Sequence, residues 1–363
     1  MAESTKDRVR RVVVIGAGAA GATCAGECAR LGIETVVVEA RAFPRAKVCG
    51  EYVSPAATPV LESLLPARGL ARAGAQRVDR FVVQLGDREW VWRTPHEAWA
   101  LSRRSLDALL LERARALGAR VMQPMAVRGV EYASSGVAVT LADGRVLEAD
   151  GVIHADGSGR LDPAGATPTI EGVVGHKCHL RLSRPVAGVG MRAGRGAYVG
   201  TVTVEDGLST VALVAGREHI RRHAGDADSM LSALWPGYDP ATRDGDWMAC
   251  GVARSGYRTP GHPRSVRIGN AAGAVDPVGG EGIGLGLWAG ITAPGLLAER
   301  PLADARTELG RRYRARLRWR RPACRLGAWA LTRPGVMRTL WPLLEAAPNL
   351  TIRPWYRMTG KPA

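Results

Sequence analysis

One segment near the N-terminus restricts the fold more than any other. Residues 12–40 read VVVIGAGAAGATCAGECARLGIETVVVEA. A β-branched run at 12–15 meets Gly16-x-Gly18-x-x-Gly21, a helix-compatible stretch follows, and Gly32 stops it. A second β-branched run at 35–38 then ends on Glu39. Strand, glycine turn, helix, strand and acid, in that order, predict a βαβ unit of a parallel sheet. Each glycine has its own task. Gly16 permits a tight turn, Gly18 lets a pyrophosphate approach the backbone, and Gly21 lets helix and strand pack closely. Free N–H groups and the positive dipole end at the helix start favour the anion. Glu39 is spaced to accept hydrogen bonds from a ribose. The motif predicts a dinucleotide site and does not by itself choose between NAD and FAD.

Three later segments bear on that choice. Residues 101–121, LSRRSLDALLLERARALGARV, put Leu106, Leu109, Leu110, Ala114 and Leu117 on one helical stripe. Ser102 is the candidate cap, just before Arg103. Residues 152–159, VIHADGSG, read as a strand ending at Asp156-Gly157. Residues 267–287, RIGNAAGAVDPVGGEGIGLGL, hold glycine at 269, 273, 279, 280, 282, 284 and 286. Each glycine costs about 1 kcal/mol in a helix interior relative to alanine, so the run needs a reason.

In order and spacing these segments resemble the R-x-x-hydrophobic-D helix, the ADG turn and the GDAAG…DP…GEG loop of the flavoprotein monooxygenase and geranylgeranyl-reductase superfamily. The resemblance covers most of residues 10–295. It implies FAD and an α/β fold: a Rossmann-like, GR2-type FAD-binding domain interleaved with an antiparallel-sheet substrate lobe and a C-terminal helical region. The implied FAD-binding domain takes 1–75, 102–165 and 260–300; the lobe takes 76–101 and 166–259; the helical region takes 301–363. The cofactor-binding residues it implies are Gly16, Gly18, Ala19, Ala20, Gly21, Glu39, Ala40, Arg41, Lys47, Cys49, Gly50, Arg103, Asp156, Gly157, Gly269, Asn270, Asp276, Pro277, Gly280, Gly282 and Ile283. The late glycines would let backbone N–H groups reach the flavin ring, with the helix starting near Gly282 aimed at its pyrimidine edge. Asn270 stands where the family carries Asp; it keeps hydrogen-bonding capacity and loses the charge.

Residues 43–57, FPRAKVCGEYVSPAA, resemble the P-x-x-K-x-C-G segment of geranylgeranyl reductases, whose cysteine lies beside the flavin. Cys49 is therefore the candidate catalytic residue, with burial as a small apolar side chain the competing reading. Arg45 and Lys47 are candidates to neutralise phosphates. His96 and His154 are candidates for a place near the flavin. HKCH at 176–179 offers too few ligands for a metal, and strand geometry would split them between two faces. Alternating runs in 76–100 and 170–255 predict the sheet that roofs the flavin. The P-x-x-Y-x-W-x-F-P segment of archaeal reductases and the W-x-W-x-I-P segment of halogenases are both missing.

The implied activity is that of an FAD-dependent oxidoreductase on a small apolar substrate: an isoprenoid, polyketide or long-chain aromatic. NADPH or NADH supplies electrons, and the reaction is C=C reduction or O2-dependent hydroxylation. A flavin-binding membrane-surface or scaffold protein and a halogenase remain as alternatives. The formal charge of +16 arises with only four lysines among 50 basic residues, an arginine skew that reads as coding bias rather than nucleic-acid binding. The C-terminal RRYRARLRWRRPACRLGAWALTRPG mixes arginine with aromatic anchors. It fits either a packed lid or peripheral contact with an anionic membrane. No apolar run reaches the roughly 20 residues of a membrane span, no secretory h-region opens the chain, and the six cysteines form no CxxC pair. The expected location is cytoplasmic, with membrane association and oligomeric state open.

Overall fold

The structure, a computed structural model, describes residues 9–157 and 159–362. Ser158 of the expected ADGSG turn lies outside the described residues.

A five-stranded parallel sheet has the order Ser265–Arg267, Gly151–His154, Arg11–Ile15, Glu34–Val38, Arg120–Met122. Side chains alternate across a strand, so the central strands serve two layers. Val12, Val14, Val37 and Ile153 pack toward helices Ala19–Arg30, Arg103–Ala116 and Gly282–Glu299. Val13, Ile15, Val36, Val38 and Val152 pack the other way. There they meet a three-stranded antiparallel sheet, Val127–Tyr132, Val137–Leu141 and Val146–Ala149. Sequence reading did not anticipate this small sheet. Its strands are four to six residues long and its outer face is largely exposed, so its pattern is weak.

An eight-stranded sheet forms the second half. Its order is Arg243–Ala253, Thr169–Leu180, Ser209–Gly216, Ala197–Thr203, Val189–Gly194, Gln76–Leu85, Arg88–Ala100, Tyr52–Val53. Every neighbouring pair is antiparallel except Val189–Gly194 with Gln76–Leu85. The alternating runs read from 76–100 and 170–255 are these strands. Tyr52–Val53 joins their edge, so the chain enters this sheet before residue 76.

The C-terminal part is a 30-residue helix, Leu302–Leu331, followed by Pro334–Ala346 and Pro348–Met358. Leu309, Tyr313 and Leu317, read as one face, are all buried, as are Trp341 and Tyr356. Among the described residues no helix is long and apolar enough to cross a membrane.

Candidate cofactor and substrate site

The first βα turn builds a cradle from backbone. Gly16 has φ +97°, and a Cβ there would lie 2.7 Å from Asp156 Cα. A Cβ on Gly21 would lie 1.8 Å from the Gly16 carbonyl oxygen, so the helix sits against its own turn with no room for a side chain. Helix Ala19–Arg30 begins after Gly18 with no side-chain cap and no acid in its first turn, which leaves its amides for an anion. Two cations face that end. The point where a Gly18 Cβ would stand is 3.4 Å from the Arg103 guanidinium and 3.6 Å from Lys47 Nζ. Lys47 Nζ is also 4.0 Å from the corresponding point on Gly157, as is Asn270 Cβ. Burial, reinforced by Arg103, pushes Lys47 below the ordinary lysine range.

Helix Arg103–Ala116 delivers Arg103. Ser102 caps it by accepting from the Ser105 amide, and Arg103 is held by Asp107 at 2.8 and 2.6 Å. The buried Glu39 carboxylate accepts from the amides of Ala17 and Arg41, each at 2.9 Å. Ala40 and the Arg41 side chain point outward. The Asp156 carboxylate accepts from the Gly159 amide at 3.0 Å. Gly269 packs on Ala20, and its amide donates to Tyr313 Oη at 3.1 Å. The structure thus gathers Gly16, Gly18, Ala19, Ala20, Gly21, Glu39, Lys47, Arg103, Asp156, Gly157, Gly269 and Asn270 at one edge of the parallel sheet. An uncapped helix end, two cations and a buried ribose-spaced acid fit the diphosphate and ribose of FAD.

The late glycine run has a different cause from the expected one over most of its length. A Cβ on Gly284 would meet Ala57 at 3.0 Å, and one on Gly286 would meet Ala20 at 3.4 Å. These two let helix Gly282–Glu299 lie close to its neighbours. A Cβ on Gly273 would lie 2.3 Å from the Gly256 carbonyl oxygen, and one on Gly279 would lie 2.5 Å from Cys324 Sγ. Of the seven, only Gly282 meets nothing within 4 Å. It sits exposed at the uncapped start of its helix, with Ile283 buried behind it. Asp276, just before, accepts from Tyr198 Oη at 3.0 Å and the Val278 amide at 3.2 Å, and burial raises its carboxyl.

Beyond this loop lies a solvent-open pocket of about 670 Å³. Phe81, Met191, Val214 and Ala212 of the roof sheet form one wall, with Gly50, Pro277 and Gly280 at its edge. Trp355, Tyr356 and Lys361 of the C-terminal segment close it. Trp355 is fixed by stacking near Phe81 and by donating to the Ala323 carbonyl at 2.8 Å. Lys361 is buried. Its Nζ donates to the Gly279 carbonyl at 2.6 Å and pairs with the buried Glu281 at 3.1 Å. Sequence reading missed this pair; its members lie 80 positions apart, and although Glu281 belongs to the GEG loop, Lys361 belongs to no motif.

It also missed the role of Glu51, which has φ +56° and is fully buried. Glu51 accepts from the Arg103 amide at 2.7 Å, His179 Nε2 at 2.8 Å, Thr210 Oγ1 at 2.6 Å and Lys177 Nζ. Burial alone would raise its carboxyl; the His179 hydrogen bond and the Lys177 charge overcome that and hold it at about 2. Lys177 and His179 therefore share one strand face, while Cys178 joins the core on the other. No cluster of three metal-ligating side chains occurs among the described residues. Cys49 is half-buried beside this network, its Sγ 3.4 Å from the Glu51 amide. The two histidines expected near the flavin lie elsewhere. His96 is exposed on a roof strand, and His154 is buried 3.6 Å from Asp162 and 3.2 Å from Tyr132 Oη.

Residues 10–160 match the family model described as an FAD binding domain. The chain is 32% identical to the menaquinone reductase of Mycobacterium tuberculosis, over 80% of this chain and 77% of that one. It is 27% identical to the rifampicin monooxygenase of Streptomyces venezuelae, over 76% of this chain and 61% of that protein. Among solved structures, PqsL from Pseudomonas aeruginosa, described as a probable FAD-dependent monooxygenase, shares the fold. The TM-score is 0.75 at 18% identity, over 92% of this chain and 99% of that one. A glycine cradle with facing cations, an open helix start and an apolar pocket under a sheet thus coincide with sequence similarity along most of the chain, and the protein belongs to the FAD-dependent monooxygenase and oxidoreductase family of enzymes.

Proposed function

We propose that this enzyme reduces an apolar quinone- or isoprenoid-class substrate, with NADPH or NADH as the electron donor. The observation that carries the reading is the pocket, whose walls are aliphatic and aromatic and whose edge is the Pro277–Gly280 loop next to the open helix start. The similarity to a menaquinone reductase over four-fifths of the chain supports it. Bound FAD would supply the redox chemistry. The chain's residues would do the rest: the amides at the start of helix Ala19–Arg30, Lys47 and Arg103 would hold the diphosphate, and Glu39 would hold the ribose. Trp355 and Tyr356 give the pocket an aromatic wall on the side of the C-terminal segment.

Hydroxylation is the second reading, supported by the similarity to a monooxygenase. The two separate in one experiment. The FAD-loaded enzyme is given NADPH and menaquinone without oxygen, then with it. A product that gains hydrogen anaerobically supports reduction. A product that forms only with oxygen and carries an added oxygen atom overturns it in favour of hydroxylation.

A lipid-class substrate also fits contact with an anionic bilayer. Trp319, Leu326 and Trp329 are exposed on helix Leu302–Leu331, at spacings of seven and three that share a face, beside a row of arginines.

A further inference from the structure

Helix Leu302–Leu331 carries Arg314, Arg318, Arg321 and Arg325 at i, i+4, i+7 and i+11, which puts all four on one face. They line a solvent-open groove of about 540 Å³ with Tyr257, Leu317 and Pro322. Of the five other arginines on the helix, Arg311 and Arg312 share Glu308 and Arg320 faces Glu281, while Arg306 donates to the His262 carbonyl and Arg316 lies over the Trp288 ring. Among the described residues the four groove arginines have none within ion-pair distance. Arg314 lies over the Tyr257 ring at 5.0 Å, and Arg318 lies over Trp319 at 5.2 Å. Like charges three and four residues apart repel, so this face of the helix is strained by its own charge until an anion enters.

The groove abuts the flavin side of the molecule. The Arg321 guanidinium lies 3.5 Å from the point a Gly256 Cβ would occupy, on the short strand that pairs with Gly273–Ala274. Cys324, next to Arg325, touches Gly279 of the pocket-edge loop. The charge of Arg325 acts on the Asp276 carboxyl in the same loop. One turn of helix therefore touches both the groove and the loop beside the ring site.

We propose that this groove is a phosphate site that anchors the diphosphate of the reduced nicotinamide dinucleotide while it meets the flavin. Guanidinium forks match phosphate oxygens in pairs, which suits arginine rather than lysine to the task. The site rests on the donor reading above for its ligand, not for its chemistry; a lipid headgroup is the other source of the same phosphate.

The test uses the FAD-loaded enzyme and two variants of exposed side chains, R318Q/R321Q and R314Q/R325Q. Flavin bleaching is followed anaerobically with NADPH, with NADH and with dithionite. Binding of inorganic pyrophosphate and of phosphatidylglycerol vesicles is measured alongside. The expected result is that the NADPH concentration for half-maximal reduction rises about tenfold or more in each variant. The limiting rate and dithionite reduction stay as in the wild type, and the wild type alone loses NADPH affinity steeply with salt. Pyrophosphate should compete with NADPH in the wild type and bind weakly to the variants. Unchanged NADPH and pyrophosphate affinities in both variants overturn the site. Should neither nicotinamide reduce the wild type while dithionite does, the donor reading fails. Pyrophosphate binding that the variants lose would still uphold the phosphate site. Vesicle binding that the variants lose, with no pyrophosphate binding, overturns the dinucleotide assignment in favour of a headgroup.

Discussion

The two halves of the site are built by opposite means. At the diphosphate end the turn itself is packed backbone to backbone, Gly21 on the Gly16 carbonyl and Gly16 on Asp156, and the Arg103 and Lys47 side chains reach only its open face. At the pocket end the contacts are side chains brought from far apart: Phe81 from the roof, Gly280 from the loop, and Trp355, Tyr356 and Lys361 from the tail. Gly16 and Gly21 of the first end admit no side chain, because a Cβ at either meets backbone at 2.7 Å or less. At the second end Phe81, Met191 and Val214 line open space, so a smaller apolar side chain there enlarges the pocket without moving backbone.

The sharpest break of that contrast is Gly21→Val. A Cβ 1.8 Å from a carbonyl oxygen cannot be relieved by a rotamer change, so helix and turn must separate. The expected cost exceeds about 4 kcal/mol, seen as loss of flavin from the purified protein and a fall in melting temperature. Phe81→Leu at the other end should keep flavin and melt near wild type. If the two variants retain FAD equally, the contrast is wrong.

Next in size is the tail. Lys361→Met leaves the Glu281 carboxylate buried with only Arg320, 3.7 Å away, to offset it. Breaking a buried pair from one side costs about 3–5 kcal/mol, whereas replacing both partners costs much less. The E281Q/K361M double variant should therefore recover most of the loss in urea unfolding. Equal stability of the single and double variants would show that Lys361 acts by packing alone.

Glu51 offers a pH-resolved version of the same question. Its folded-state carboxyl stands at about 2, below the ordinary value near 4.5. Between those values the unfolded chain binds the proton and the folded one does not. The stabilisation is therefore complete above pH 4.5 and is lost as pH falls toward 2. The gap corresponds to about 3 kcal/mol. Denaturant unfolding at pH 6, 4 and 3 should show the wild type losing stability more steeply than Glu51→Gln, which lacks the titrating group. Parallel pH slopes would remove Glu51 as a charged anchor for Lys177 and His179.

What could be read from sequence follows the same division. The βαβ part of the diphosphate end is contiguous in the chain, and its glycine spacing, strand flanks and Glu39 are all local. Ser102 was readable as a cap because capping is local as well. The roof strands showed through alternation. Glu51 did not, since Lys177, His179 and Thr210 lie 126 to 159 positions away and a buried carboxylate has no local signature. Reading the late glycines as flavin contacts assigned one cause to a run in which Gly284 and Gly286 answer to helix packing and Gly282 alone faces open space. Composition reveals that a backbone comes close to something, and only the fold says to what.

The smallest effect on stability, and the finest probe of the tail, lies on its outer face. Trp319 and Trp329 are 60% and 44% exposed and touch the pocket nowhere. Replacing both with serine should leave the melting temperature within the range of surface substitutions, about 0.5 kcal/mol, and leave flavin content unchanged. Interfacial binding scales with buried apolar area plus attraction of basic residues to anionic lipid. Flotation with phosphatidylglycerol vesicles should therefore fall in the variant and fall further with salt, while neutral phosphatidylcholine vesicles bind little of either protein. Because this face is separate from the pocket, turnover of a detergent-dispersed substrate should match wild type, and turnover of the same substrate in vesicles should drop. A drop in both assays would place the tryptophans in the pocket's support, and a drop in neither would leave the outer face of the tail with no part in substrate capture.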